Sequence, residues 1–85
     1  MKIIIQLHGA FKQFGEQLEL TLTDDSRVAD LHETFMQMVA KRNPELHKQS
    51  WLRASRFCDD TRILQANQSL SDGQRLIILP PVTGG

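Results

Sequence analysis

Cysteine is almost missing from this chain: Cys58 is its only one, which excludes a disulfide within the molecule. With His8, His32 and His47 scattered along the sequence, no spacing suggests a zinc site, and no metal is expected. Placed beside Phe57, the lone thiol reads as a small buried hydrophobe. An excess of either charge is missing too. Ten Lys and Arg balance ten Asp and Glu, so the chain has none of the surplus positive charge with which nucleic-acid binders displace counterions. No apolar run approaches the roughly 20 residues that span a bilayer. Met1-Lys2-Ile3-Ile4-Ile5 is followed at once by Gln6 and His8 rather than by the apolar core of a signal peptide, so the expected location is cytoplasmic, with no membrane partner. Equipment for catalysis is also lacking. Gly-x-Ser-x-Gly does not occur, Ser26, Ser50, Ser55, Ser69 and Ser71 fall at cap, loop or turn positions, and Asp59-Asp60 reads as a solvated turn. Eighty-five residues make one domain and leave little room for a deep cleft beside a packed core. The expectation is a protein that is no enzyme in itself and borrows its pocket from a partner.

What the chain does have is regular hydrophobic spacing. Lys2 to Leu7 puts Ile3, Ile5 and Leu7 on one face and Ile4 and Gln6 on the other, the period of a strand. After a turn region bracketed by Gly9 and Gly15, Leu18, Leu20 and Leu22 alternate with polar residues, predicting the second arm of a hairpin. Asp24-Asp25-Ser26 offers helix N-cap side chains. Val28, Leu31, Phe35, Met38 and Val39 then recur at helical steps, with Asp30, Glu33, Gln37 and Lys41 facing water, until Asn43-Pro44 stops the helix. Glu45 to Ser50 reads as a loop, Trp51 to Cys58 as a third strand, and Arg62-Ile63-Leu64 as a short strand after the Asp59-Asp60-Thr61 turn. Ser71-Asp72-Gly73 is a turn before the last strand, Arg75 to Leu79, which Pro80-Pro81 ends. The terminal strands are apolar on both faces, so they belong side by side and parallel in the middle of a sheet, with the helix across one face. That arrangement is an α+β β-grasp: a mixed sheet of four to five strands and one main helix, with residues 1–81 as the domain and 82–85 as a flexible tail.

The tail, Pro80-Pro81-Val82-Thr83-Gly84-Gly85, is the most informative stretch. Glycine is about 7% of average composition, so a terminal pair arises by chance in roughly one chain in 200. Together with Leu70-Ser71-Asp72-Gly73 and the strand Leu76-Ile77-Ile78-Leu79, this end resembles the MoaD/ThiS family of ubiquitin-like sulfur carriers. It is most similar to the small subunits of molybdopterin synthase, whose pattern is a Leu-x-Asp-Gly turn, an apolar strand and Pro-Pro-Val-x-Gly-Gly.

The resemblance implies that an E1-like adenylating enzyme (MoeB/ThiF-like) uses ATP to activate the carboxylate of Gly85. Sulfur from a persulfide donor then gives a thiocarboxylate, which a downstream synthase consumes. No cofactor is bound by the carrier itself. Adenylation suits this terminus because a free carboxylate is a poor electrophile until it carries a good leaving group. Val82, Thr83 and Gly84 would thread Gly85 into the partner's channel, glycine allowing torsions closed to other residues, while Pro80 and Pro81 hold the base of the tail extended. Alternation in the last strand leaves Ile77 and Leu79, with Ile4 on the neighbouring strand, as an aliphatic partner-binding patch at the root of the tail. Molybdopterin leads as the destination of the sulfur. Thiamine, cysteine or homocysteine, and siderophore synthesis remain alternatives, as does attachment to other proteins as a ubiquitin-like modifier.

Overall fold

The computed structural model describes residues 1–81; Val82 to Gly85 lie outside the described residues. In chain order the elements are β1 (Lys2–Gln6), β2 (Gln17–Thr21), α1 (Val28–Arg42), α2 (Pro44–His47), β3 (Arg56–Cys58) and β4 (Gln74–Leu79), with 3-10 helices at Gly9–Phe14 and Ser50–Ala54. The sheet order is β2-β1-β4-β3. β1 runs antiparallel to β2 and parallel to β4, and β3 closes the far edge antiparallel to β4. The two apolar terminal strands therefore lie side by side in the centre, and the β-grasp expected from their composition is the fold.

One face of the sheet and one stripe of α1 make the core. Ile3, Ile5, Leu76 and Ile78 point inward at 1% exposure or less, against Leu31, Phe35 and Val39 of the helix. Each such side chain contributes about 1.5–3 kcal/mol by leaving water. Phe35 sits at the centre, edge-on to Phe11 at 5.6 Å and to Phe57 at 5.9 Å between ring centroids. Leu18 and Leu20, on the edge strand β2, are only half-buried.

Several local expectations need correction. The turn region between Gly9 and Gly15 is a 3-10 helix that inserts Phe11 and Phe14 into the core. Glu45 to Ser50 is not all loop, because α2 starts on Pro44, with Asn43 Oδ1 accepting the Leu46 N–H at 3.1 Å. Trp51 to Ala54 belongs to the second 3-10 helix, which buries Leu52 and shortens the third strand to three residues. Arg62-Ile63-Leu64 makes only a single bridge, Cys58 to Ile63. On α1, Met36 is buried while Met38 is half-buried.

The cap of α1 also differs. Asp24, Asp25 and Ser26 do not cap it; Asp30 Oδ2 accepts the Arg27 N–H at 2.8 Å, and the Val28 and Ala29 N–H groups donate to the carbonyls of Gln68 and Ala66. A distant loop thus satisfies orphan donors that local sequence assigned to neighbouring side chains.

Candidate functional site

The Leu-x-Asp-Gly turn anchors β4 to β1. Gly73 has φ +80°, a left-handed conformation that costs other residues about 1–2 kcal/mol. In that conformation its N–H donates to the Lys2 carbonyl at 2.7 Å, while Asp72 Oδ1 accepts the Lys2 N–H, also at 2.7 Å. Two hydrogen bonds therefore set the register of β4 at its first residues. Six residues later the strand ends at Leu79, followed by exposed Pro80 and half-buried Pro81. These two prolines are the described root of the tail; Val82, Thr83, Gly84 and Gly85, the residues expected to enter a partner, lie outside the described residues.

The face of the sheet turned away from α1 carries the expected aliphatic residues. Ile4 lies beside Glu19 and Arg75, Ile77 beside Gln6 and Cys58, and Leu79 beside Arg56. Leu79 is 38% exposed, whereas Ile4 and Ile77 are half-buried, so the patch is less open than three free aliphatic side chains would be. Sequence reasoning missed Ile63, which is 57% exposed and bridges to Cys58. Assigning it to a strand hid it, although an isoleucine between a turn and a polar stretch was a signal. Arg56, Arg62 and Arg75 stand around these groups and make no ion pair among the described residues. The arrangement is an apolar strip with a border of mixed charge, in which Glu19, Asp59 and Asp60 stand beside the arginines, beginning at the root of the tail.

Cys58 is buried on this outer face rather than in the main core, its Sγ 3.7 Å from the Ile77 carbonyl. Burial pushes its thiol pKa up, and the Asp59 carboxylate adds to the effect. A thiol so placed is a poor nucleophile, since the thiolate is the reactive form. Asp59 is committed to the turn: its Oδ1 accepts the N–H groups of Thr61 at 2.9 Å and Arg62 at 3.0 Å, which hold its carboxyl below the usual range. Among the described residues no group of three His, Cys, Asp or Glu side chains is placed to hold a metal ion. No helix among them is long and apolar enough to cross a membrane.

Similar architecture occurs in several solved proteins. The chain superposes on a putative molybdopterin converting factor subunit 1 from Pyrococcus furiosus with a TM-score of 0.69 and 20% identity, covering 95% of this chain and 98% of that one. Against the complex of subunits 1 and 2 of the molybdopterin-converting factor from Helicobacter pylori the TM-score is 0.60 and the identity 22%, with full coverage of both chains. A ubiquitin from Caldiarchaeum subterraneum matches with a TM-score of 0.63 and 22% identity, over all of this chain and 98% of that one. At such identities the likeness shows a shared ubiquitin-like fold. No curated protein matches the chain significantly in sequence. The ThiS family model matches residues 5–85, from inside β1 to the last glycine. A match over nearly the whole length, on a β-grasp whose central strand runs into Pro-Pro-Val-Thr-Gly-Gly, means that the chain belongs to the ThiS family, ubiquitin-like sulfur carriers of the MoaD/ThiS type.

Proposed function

We propose that the protein carries sulfur on its own C-terminus: an E1-like enzyme adenylates Gly85, and a persulfide donor converts the adenylate to a thiocarboxylate. The supporting observation is that the family match runs through Gly84-Gly85, directly after a strand pinned at its start by Asp72 and Gly73. In the first step the carboxylate attacks the α-phosphorus of ATP and pyrophosphate leaves. The terminal sulfur of the persulfide then attacks the acyl carbon and AMP leaves. Electrons balance when a second thiol cleaves the resulting acyl disulfide, oxidising the donor and freeing the thiocarboxylate. None of these steps calls on a side chain of the carrier, which fits a described surface with a shielded thiol and a turn-bound carboxylate. The outer strip of Leu79, Ile77 and Ile4 is the surface that meets the activating enzyme, with the tail at its end. Molybdopterin synthesis is the favoured destination, supported by the likeness to molybdopterin converting factor subunits in the fold comparison, one of them in complex with a second subunit.

The test is intact-mass spectrometry after incubation with the adenylating enzyme, ATP and a persulfide donor. The expected product has one oxygen replaced by sulfur. Deleting Gly84-Gly85, or fusing a tag after Gly85, abolishes that change and leaves the fold intact; retained thiolation in the deletion sinks the reading. The same reaction mixture with candidate proteins added separates carriage from conjugation, since conjugation yields a branched product joined to lysine.

A further inference from the structure

The two edges of the sheet are finished differently. At β3 the Leu64 N–H donates to the Phe57 carbonyl and the Asp59 N–H to the Arg62 carbonyl, so the following turn covers that edge. β2 has no such cover among the described residues. The Leu7 N–H donates to the Glu16 carbonyl and the Leu22 N–H to the Met1 carbonyl, and the alternation of an antiparallel ladder then turns the backbone of Leu18 and Leu20 toward β1. The N–H and C=O groups of Gln17, Glu19 and Thr21 point away from the sheet, where they form a template for another strand.

A flank of α1 stands over the place such a strand would take. His32 packs edge-on to Phe57 of β3, with ring centroids 6.2 Å apart, so Thr34, Met38 and Lys41, across the stripe of Leu31, Phe35 and Val39, lie on the β2 side. A shallow depression of about 370 Å³ runs along this flank, lined by Thr34, Gln37, Met38, Lys41 and Arg42. Leu18, Leu20 and Met38 are half-buried, which leaves apolar surface for a fifth strand to cover. Charge distinguishes the two ends. The Arg42 guanidinium lies 5.3 Å from the Phe14 ring centroid and Asn43 Nδ2 donates to Gln13 Oε1, so the end of α1 sits beside the start of β2. Lys41 and Arg42 make no ion pair among the described residues, whereas Lys12 is matched by Glu16. Toward the other end stand Asp25, bonded to the Thr23 hydroxyl, and Asp30, bonded to the Arg27 N–H.

Two occupants fit poorly. A second copy, in the symmetric register that pairs Gln17, Glu19 and Thr21, sets Glu19 directly opposite Glu19, a like-charge pair at the centre. The chain's own tail starts three strand positions away, about 14 Å, which is the whole contour of its last four residues. We propose that the free edge of β2 takes up an extended segment of another protein as a fifth, antiparallel strand. Its aliphatic side chains lie against Leu18, Leu20 and Met38, and carboxylates at its C-terminal end lie beside Lys41 and Arg42. Backbone pairing supplies the affinity, and the alternating side chains and the charged end supply the selection.

The probe is the peptide acetyl-Lys-Val-Thr-Val-Thr-Val-Glu-Glu-amide, titrated into the full-length nitrogen-15-labelled protein by NMR. Its valines face α1, its threonines fall opposite Glu19 and Thr21, and its last carboxylate reaches Lys41. Saturable shifts are expected at the amide signals of Gln17, Glu19 and Thr21. A peptide ending in Lys-Lys should bind roughly tenfold more weakly, and Lys41→Glu, a change at an exposed position, should reverse that preference. N-methylation of both threonines, which removes the donors to the β2 carbonyls, should abolish saturation. The proposal is overturned if the first peptide fails to saturate by about 1 mM, if the N-methylated peptide binds equally, or if the two charged ends bind alike. Shifts centred on Ile77 and Leu79 would also overturn it, and signals of Gln17, Glu19 and Thr21 that move with protein concentration alone would give the edge to a second copy. Tail chemistry enters none of these measurements, so the outcome is independent of whether Gly85 is thiolated.

Discussion

At the scale of single residues, Leu79 and Cys58 give the clearest tests because they share one face of the sheet yet have opposite expected effects. Leu79 is partly exposed at the root of the tail, so Leu79→Asp should leave the core intact while weakening binding to the activating enzyme by at least ~2 kcal/mol, as measured by calorimetry. Unchanged affinity in a folded variant removes it from the interface. Cys58→Ser should do the reverse, lowering the urea midpoint while thiocarboxylate formation proceeds, because the thiol is shielded and its pKa raised. Loss of sulfur transfer in a stable variant would assign Cys58 a relay role. His32 provides a pH signature. Its folded pKa lies below the ordinary value of 6.5, so on acidification the unfolded chain binds that proton first. Stability should therefore fall as pH drops from about 6.5 toward the lowered folded value. His32→Gln should flatten the unfolding free energy over that window, and an unchanged slope would rule out the imidazole as its cause.

At the scale of elements, the short turn before β4 governs placement of the whole strand. Asp72→Ala removes the acceptor for the Lys2 N–H and should cost about 1 kcal/mol. Gly73→Ala forces a side chain to φ +80°, where open space around the added Cβ leaves backbone strain of about 1–2 kcal/mol as the penalty. Thermal unfolding of both variants checks these values, and a neutral result for both would mean that strand pairing alone fixes the register. The sequence made β1, β2, α1 and β4 legible because each repeats its apolar residues at a single period long enough to recognise. Gly9–Phe14 and Ser50–Ala54 are short 3-10 helices with no sustained period, so Phe11 and Phe14 looked like turn residues and Leu52 like part of the third strand, although all three are core. The cap of α1 was misread for a related reason: its partners, Ala66 and Gln68, lie almost forty positions away and act through backbone carbonyls that carry no sequence signature. The aliphatic strip was readable from alternation in β4. The packing of His32 against Phe57 was not, since the two meet only when α1 lies over β3.

At the scale of the whole molecule, the strand order places the tail at the end of a central strand with a neighbour on each side. On the proposed carrier reading, a partner that draws in the last four residues is limited by their contour of at most about 14 Å, which puts the outer strip close to its active site. The parallel pairing of β1 and β4 also has a mechanical consequence. A pull between the two chain ends acts along both strands in opposite senses, so the hydrogen bonds joining Ile3 through Gln6 to Gln74 through Ile77 are strained together, in shear. A pull between Arg56 and the tail acts instead on the adjacent pair Arg56 and Leu79, where the antiparallel ladder can open one bond at a time, like a zipper. Single-molecule force spectroscopy with the two attachment geometries should find rupture at markedly higher force for the first. Equal forces would show that the β1–β4 ladder is not what resists extension. The fold thereby meets axial tension between its two ends with its strongest geometry, and yields most readily to a sideways tug on its edge strand.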